Sequence, residues 1–204
     1  MQIEPIEARR LLAAVGPDGY GYVADPHPFE NIDLGIGSPG VGSSGIDLGR
    51  NTFNYYGRTV SGDRAVAATE TGTIQVGDFG SLGNNTRLNT GPFQPIIAAL
   101  WDTWSHPAGS RVLWTLDDTG GNDAPERLIV QWTVFHDHNL PAVKFHAILQ
   151  LNTGDRPGDI ILNYESLESG HATTTKGASA TVGIKDVKSG SDQTALDGTL
   201  YADW

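Results

Sequence analysis

Asp102 is the residue of this sequence best placed to do chemistry. It is the single charge in residues 96–104, the densest apolar run of the chain, and it stands between Trp101 and Trp104. A carboxylate beside aromatic rings suits a carbohydrate site, but glycoside hydrolysis needs two carboxylates at a defined separation. Glu126 and Asp159 are the candidates for the second, and nothing in the sequence places either one close to Asp102. The plainer reading has Asp102 satisfying turn amides at a strand end, with Trp101, Trp114 and Trp132 serving the core rather than a ligand platform.

Two other clusters have the residue types of a metal site. His136-Asp137-His138, with His146 downstream, offers imidazoles at i and i+2, which share a face if the backbone is extended. A hairpin turn centred on Asn139-Leu140 would set His146 opposite Thr133, three positions from His136, which works against a compact three-histidine site. Asp117, Asp118, Asn122 and Asp123 have the oxygen-rich character of a calcium loop, without the spacing or terminal Glu of an EF-hand. Asp, Asn and Gly are also the ordinary residues of β-turns. Calcium is therefore the one cofactor the sequence suggests, and turn chemistry competes with it.

Other patterns match by letter alone. Gly35-Ile36-Gly37-Ser38-Pro39-Gly40 fits G-x-G-x-x-G, but Pro39 and a further Gly/Ser run stand where a helix must open to hold a pyrophosphate. Asn84-Asn85-Thr86 fits the N-glycosylation sequon. No G-x-S-x-G elbow, H-E-x-x-H pair or Walker loop is present. The sequence is thus expected to encode no catalytic site.

The elements that carry these residues read as short strands. Residues 96–104 begin β-branched, end aromatic and are bounded by Gly91-Pro92 and His106-Pro107, as a buried strand would be. Leu128, Val130, Trp132 and Val134 alternate with Ile129, Gln131 and Thr133. Val143, Phe145, Ala147, Leu149 and Leu151 alternate with Lys144, His146 and Gln150. Shorter strand-like runs fall at 20–24, 29–34, 52–56, 64–68, 72–76, 111–116, 160–164 and 180–184. The 26 Gly and 11 Pro are scattered along the chain, which is the punctuation of many strands rather than of one linker. This pattern predicts an all-β fold, an antiparallel β-sandwich of about ten to twelve short strands. A short helical or irregular N-terminal segment over 1–15 precedes it, with a single sandwich domain over 16–204.

Acids outnumber bases 24 to 13, and the only basic pair is Arg9-Arg10, so a nucleic-acid partner is not expected. There is no Cys, which excludes a disulfide framework and thiolate metal sites. No apolar run has the length of a membrane span, and Leu11 to Val15 is too short for the core of an export signal.

The order of the strand motifs resembles a nidogen-like (NIDO-type) β-sandwich of bacterial extracellular proteins. The motifs that carry the resemblance are Thr52-Phe53-Asn54-Tyr55-Tyr56-Gly57, Thr71-Gly72-Thr73-Ile74-Gln75-Val76-Gly77, residues 96–104, Leu128-Ile129-Val130-Gln131-Trp132, residues 143–149, Gly158-Asp159-Ile160-Ile161-Leu162-Asn163-Tyr164 and Ser179-Ala180-Thr181-Val182-Gly183-Ile184. Departures from the family pattern are Thr71, where Asn is usual, and Ala99, where Pro is common. Glu7-Ala8-Arg9-Arg10-Leu11-Leu12-Ala13-Ala14 resembles the LEPR/EARRLL motif near the start of many planctomycete surface proteins.

The resemblance implies an extracellular or cell-surface module for adhesion, scaffolding or self-assembly, without chemistry of its own. Its partner would be a protein, a surface polysaccharide or further copies of itself, with no membrane insertion. In one form of this expectation the strand-like end, Tyr201 to Trp204, completes a neighbour's sheet. The alternative expectation is a carbohydrate-binding or accessory domain of a secreted hydrolase.

Overall fold

The computed structural model describes residues 22, 28–32, 34, 44–82, 84–88, 91–121, 123–186 and 199–202. The 1–15 segment, the glycine pattern at 35–40, Asn122 and the last two residues lie outside them. Among the described residues there are twelve strands: β1 (Ser44–Ile46), β2 (Phe53–Tyr55), β3 (Arg58–Val60), β4 (Val66–Ala68), β5 (Thr73–Val76), β6 (Ile96–Trp101), β7 (Arg111–Asp117), β8 (Arg127–Val134), β9 (Val143–Gln150), β10 (Ile160–Ser166), β11 (Thr181–Lys185) and β12 (Thr199–Ala202). They form a six-stranded sheet in the order β1-β4-β5-β6-β11-β12, a four-stranded sheet β10-β9-β8-β7, and the hairpin β2-β3. All pairings are antiparallel, as the alternating sequence patterns require.

The core lies between the two large sheets. Ile74, Val76, Ile97, Ala99, Val182 and Ile184 meet Val112, Leu128, Val130, Trp132, Val134, Phe145 and Leu149 in one cluster. Trp132 and Phe145 sit opposite each other in register and stack at 5.1 Å. Two polar groups cross the layer: Trp132 Nε1 donates to the Thr69 carbonyl at 2.8 Å, and the Tyr164 hydroxyl donates to that of Ala99 at 2.8 Å.

Strand β6 is buried along its whole length. Its second face carries Ile96, Ala98 and Trp101 into a smaller cluster with Leu88, against which Leu82 packs. Burial on both faces is why its sequence runs apolar instead of alternating.

Three differences from the sequence reading are local. Residues 28–32 and 34 form no strand. Strands β1 and β3 were not expected. Strand β12 pairs with β11 of its own chain, Val182 facing Ala202 and Lys185 facing Thr199, rather than standing free.

Candidate functional site

Where β6 ends, Asp102 is carried into a polar knot. Its Oδ1 accepts the amide of the next residue, Thr103, at 2.8 Å, and no turn is formed at residues 102–104. Its Oδ2 also accepts the Ser179 hydroxyl and lies 3.6 Å from His136 Nε2. Trp104 covers the imidazole, with ring centroids 4.3 Å apart. Burial lowers the His136 pKa and the nearby His171 adds to this, whereas the Asp102 charge and a bond with the Thr103 backbone oppose it.

These are the side chains of a hydrolytic triad, wired in a different order. In a triad the imidazole stands between hydroxyl and carboxylate and removes the hydroxyl proton. Here one carboxylate oxygen stands between the other two, accepting the Ser179 hydroxyl on one side with the His136 imidazole on the other. Glu126 and Asp159 do not join the group. Glu126 Oε2 accepts the amides of Thr119 and Gly120, and Asp159 is exposed ahead of β10. Trp101 and Trp104 are buried and Trp114 is half-buried, so none of the three forms an open aromatic platform.

The histidines do not converge. His136 turns onto Trp104, while His138 is exposed. His146 lies opposite Gln131, not Thr133, because β8 and β9 close on the pair Val134 and Val143. The hairpin is therefore centred between His138 and Asn139, one residue earlier than the sequence reading placed it. Such a shift moves every partner by two positions and keeps each side chain on its face.

In the acidic loop, Asp117 is paired with Arg127 at 2.6 Å and Asp118 Oδ2 accepts the Asp123 amide at 2.8 Å. Asn122 lies outside the described residues. Among the described residues no group of three or more His, Asp or Glu is arranged to hold a metal.

The second constellation was not expected from sequence. Gln131 of β8, His146 of β9 and Asn163 of β10 occupy one row across the outer face of the four-stranded sheet. All three are buried, as are Ile129 and Ile148 in the adjoining row. An outer sheet face normally meets water. Here residues 28–32 and 34 lie over it as a strap, and the polar row binds their main chain.

Asn163 makes two bonds to one residue: its Oδ1 accepts the Glu30 amide at 3.2 Å, and its Nδ2 donates to the Glu30 carbonyl at 2.6 Å. Gln131 Oε1 accepts the Leu34 amide at 2.8 Å and lies 3.1 Å from His146 Nε2. The side-chain amides thus replace the ladder that a paired strand would supply.

The spacing explains the direction of the strap. Asn163 and Gln131 are two strands apart, about 9.6 Å. Four residues reach at most about 14 Å. The chain from Glu30 to Leu34 therefore runs across the strands, not along them.

The Glu30 carboxylate fixes its position, receiving Arg127 Nη1 at 2.8 Å. Asp117 and then Glu30 hold the proton on that guanidinium more tightly, against the cost of its burial. Apolar burial contributes little at Phe29, which is 53% exposed. A further anchor lies upstream, where Tyr22 packs on Tyr56 at 4.9 Å and its hydroxyl donates to the Asn54 carbonyl at 3.4 Å.

A family model described as NIDO related matches residues 41–200. No curated protein and no solved structure matches the chain.

Proposed function

The chain belongs to the NIDO-related family, and on that footing we propose that it is a non-enzymatic extracellular module acting in adhesion, scaffolding or self-assembly. The observation that carries this reading is the outer face of β10-β9-β8-β7, which takes up an extended peptide through Asn163, Gln131 and Arg127. Main-chain recognition by side-chain amides gives affinity, and one charge partner gives register, which is the economy of peptide-docking modules. The Asp102 knot supports the same reading from the other side, since its serine faces a carboxylate instead of an imidazole. No helix of the described residues is long and apolar enough to cross a membrane.

The test uses the full chain with Glu30→Pro and Leu34→Pro. Proline has no N–H, so both amide contacts to the face are lost. A labelled peptide spanning residues 26–36 should bind this variant and bind the parent chain far more weakly, because the parent's face is occupied. A glycan array run on the same two proteins should stay blank. Glycan binding by both, with the peptide ignored, would replace this reading by the carbohydrate-binding alternative.

A further inference from the structure

We propose that the strap is exchangeable between copies: the segment bearing Tyr22, Glu30 and Leu34 of one chain docks on the outer face of β10-β9-β8-β7 of a second copy. This rests on the reading of that face as a peptide receptor and names its occupant. Three observations carry it.

The polar contacts that anchor Tyr22, Glu30 and Leu34 reach remote parts of the sequence. Glu30 is held by Asn163 and Arg127, Leu34 by Gln131, and Tyr22 by the β2-β3 hairpin. None of these groups needs to belong to the same chain. An identical segment from a second molecule would make the same bonds, which is the condition for domain swapping.

All these anchors lie on one side of a single connection, residues 35–43, in which six of nine residues are Gly or Ser. Nine residues reach at most about 30 Å. The same connection thus sets how well the segment serves its own face and how far it can reach toward another.

The face itself is not finished without a segment. Asn163, Gln131 and His146 are buried beside Ile129 and Ile148. An uncovered face would open both rows to water, and a segment from either source restores the cover. The terminal strand β12, by contrast, already has one partner, β11.

Exchange has a concentration scale. A short tether gives an effective concentration of order millimolar for the chain's own segment. A dilute chain should therefore keep its own strap, and exchange should begin where copies are crowded on a surface or where the internal contact is disabled.

Two full-length variants isolate the exchange. One has a defective face, Asn163→Leu with Arg127→Ala, and an intact strap. The other has a defective strap, Glu30→Pro with Leu34→Pro, and an intact face. Each alone should run as a monomer in size-exclusion chromatography with light scattering. Mixed at about 100 μM each, where no internal strap competes for the intact face, they should form a 1:1 heterodimer that neither forms alone.

A mixture that stays monomeric, with both variants melting cooperatively, overturns the proposal. If a double variant fails to fold, Asn163→Asp and Leu34→Pro replace the pairs and the same outcomes decide. Peptide binding without heterodimer formation would reject exchange and leave the receptor reading intact.

Discussion

His146 is an imidazole placed where a second proton is costly. It is fully buried in the middle of the outer face, with Nε2 against Gln131 Oε1. Desolvation lowers its pKa most, Lys144 adds to the lowering, and Glu165 with the Asn163 and Ile32 backbones opposes it. A native value below the unfolded one means that the unfolded chain takes up the proton first as pH falls. The stability contributed by neutral His146 is therefore complete above the ordinary histidine pKa of about 6.5 and is lost as pH drops through the depressed native value. His136 is shifted the same way, chiefly by burial, and adds to the slope. His146→Gln should consequently flatten the dependence of unfolding free energy on pH between about 7 and 5, measured by urea titration at each pH. An unchanged slope would mean that His146 titrates as it does in the unfolded chain.

At the scale of elements, Gly72 decides how β5 enters the sheet. Its φ is +83°, and an added Cβ would stand 2.3 Å from the Leu100 carbonyl oxygen. Its own carbonyl accepts two successive amides, those of Ala99 and Leu100. A proline at 99 would have no amide to give, which is a physical consequence of the departure seen there. Gly72→Ala combines a left-handed backbone with a clash against main chain. It should cost roughly 2–4 kcal/mol in chemical denaturation, and a loss below about 1 kcal/mol would show that the turn relaxes freely. Most elements of this sheet were legible in the sequence because burial writes itself into hydropathy. Two apolar surroundings made β6 continuous, whereas β8 and β9 set a wholly apolar inner face against an outer one that mixes Gln131 and His146 with Ile129 and Ile148. The strap was misread as a strand because Phe29, Ile32 and Leu34 imitate one, while its actual partners are side chains and not a ladder. The polar row was visible as outward positions, yet its alignment needed a register that turned on one residue of hairpin centre. Ser179 left no signal at all, being 77 residues from the carboxylate it meets.

For the whole molecule the decisive quantity is charge. A formal net charge of −11 keeps the chain soluble and sets its compact state against self-repulsion, which added salt screens. Any cation should thus raise the melting temperature modestly, and a calcium site must be distinguished from that general effect. The acidic loop is the natural place to look, and there three carboxylates already have partners: Asp117 with Arg127, Asp118 with the Asp123 amide, and Glu126 with Thr119 and Gly120. A calcium ion needs six to eight oxygens at 2.3–2.6 Å, and drawing Asp117 Oδ2 into such a shell would compete with Arg127, which also holds Glu30 of the strap. Calcium and magnesium at matched ionic strength should therefore raise the melting temperature equally, and chelation should leave the purified chain unchanged. Asp118→Asn should keep that equality and lower stability by about 0.5–1 kcal/mol through its weaker acceptor. An increment specific to calcium that disappears in Asp118→Asn would instead assign the ion to this loop, because a ligand bound only by the native state must stabilise it in proportion to its occupancy.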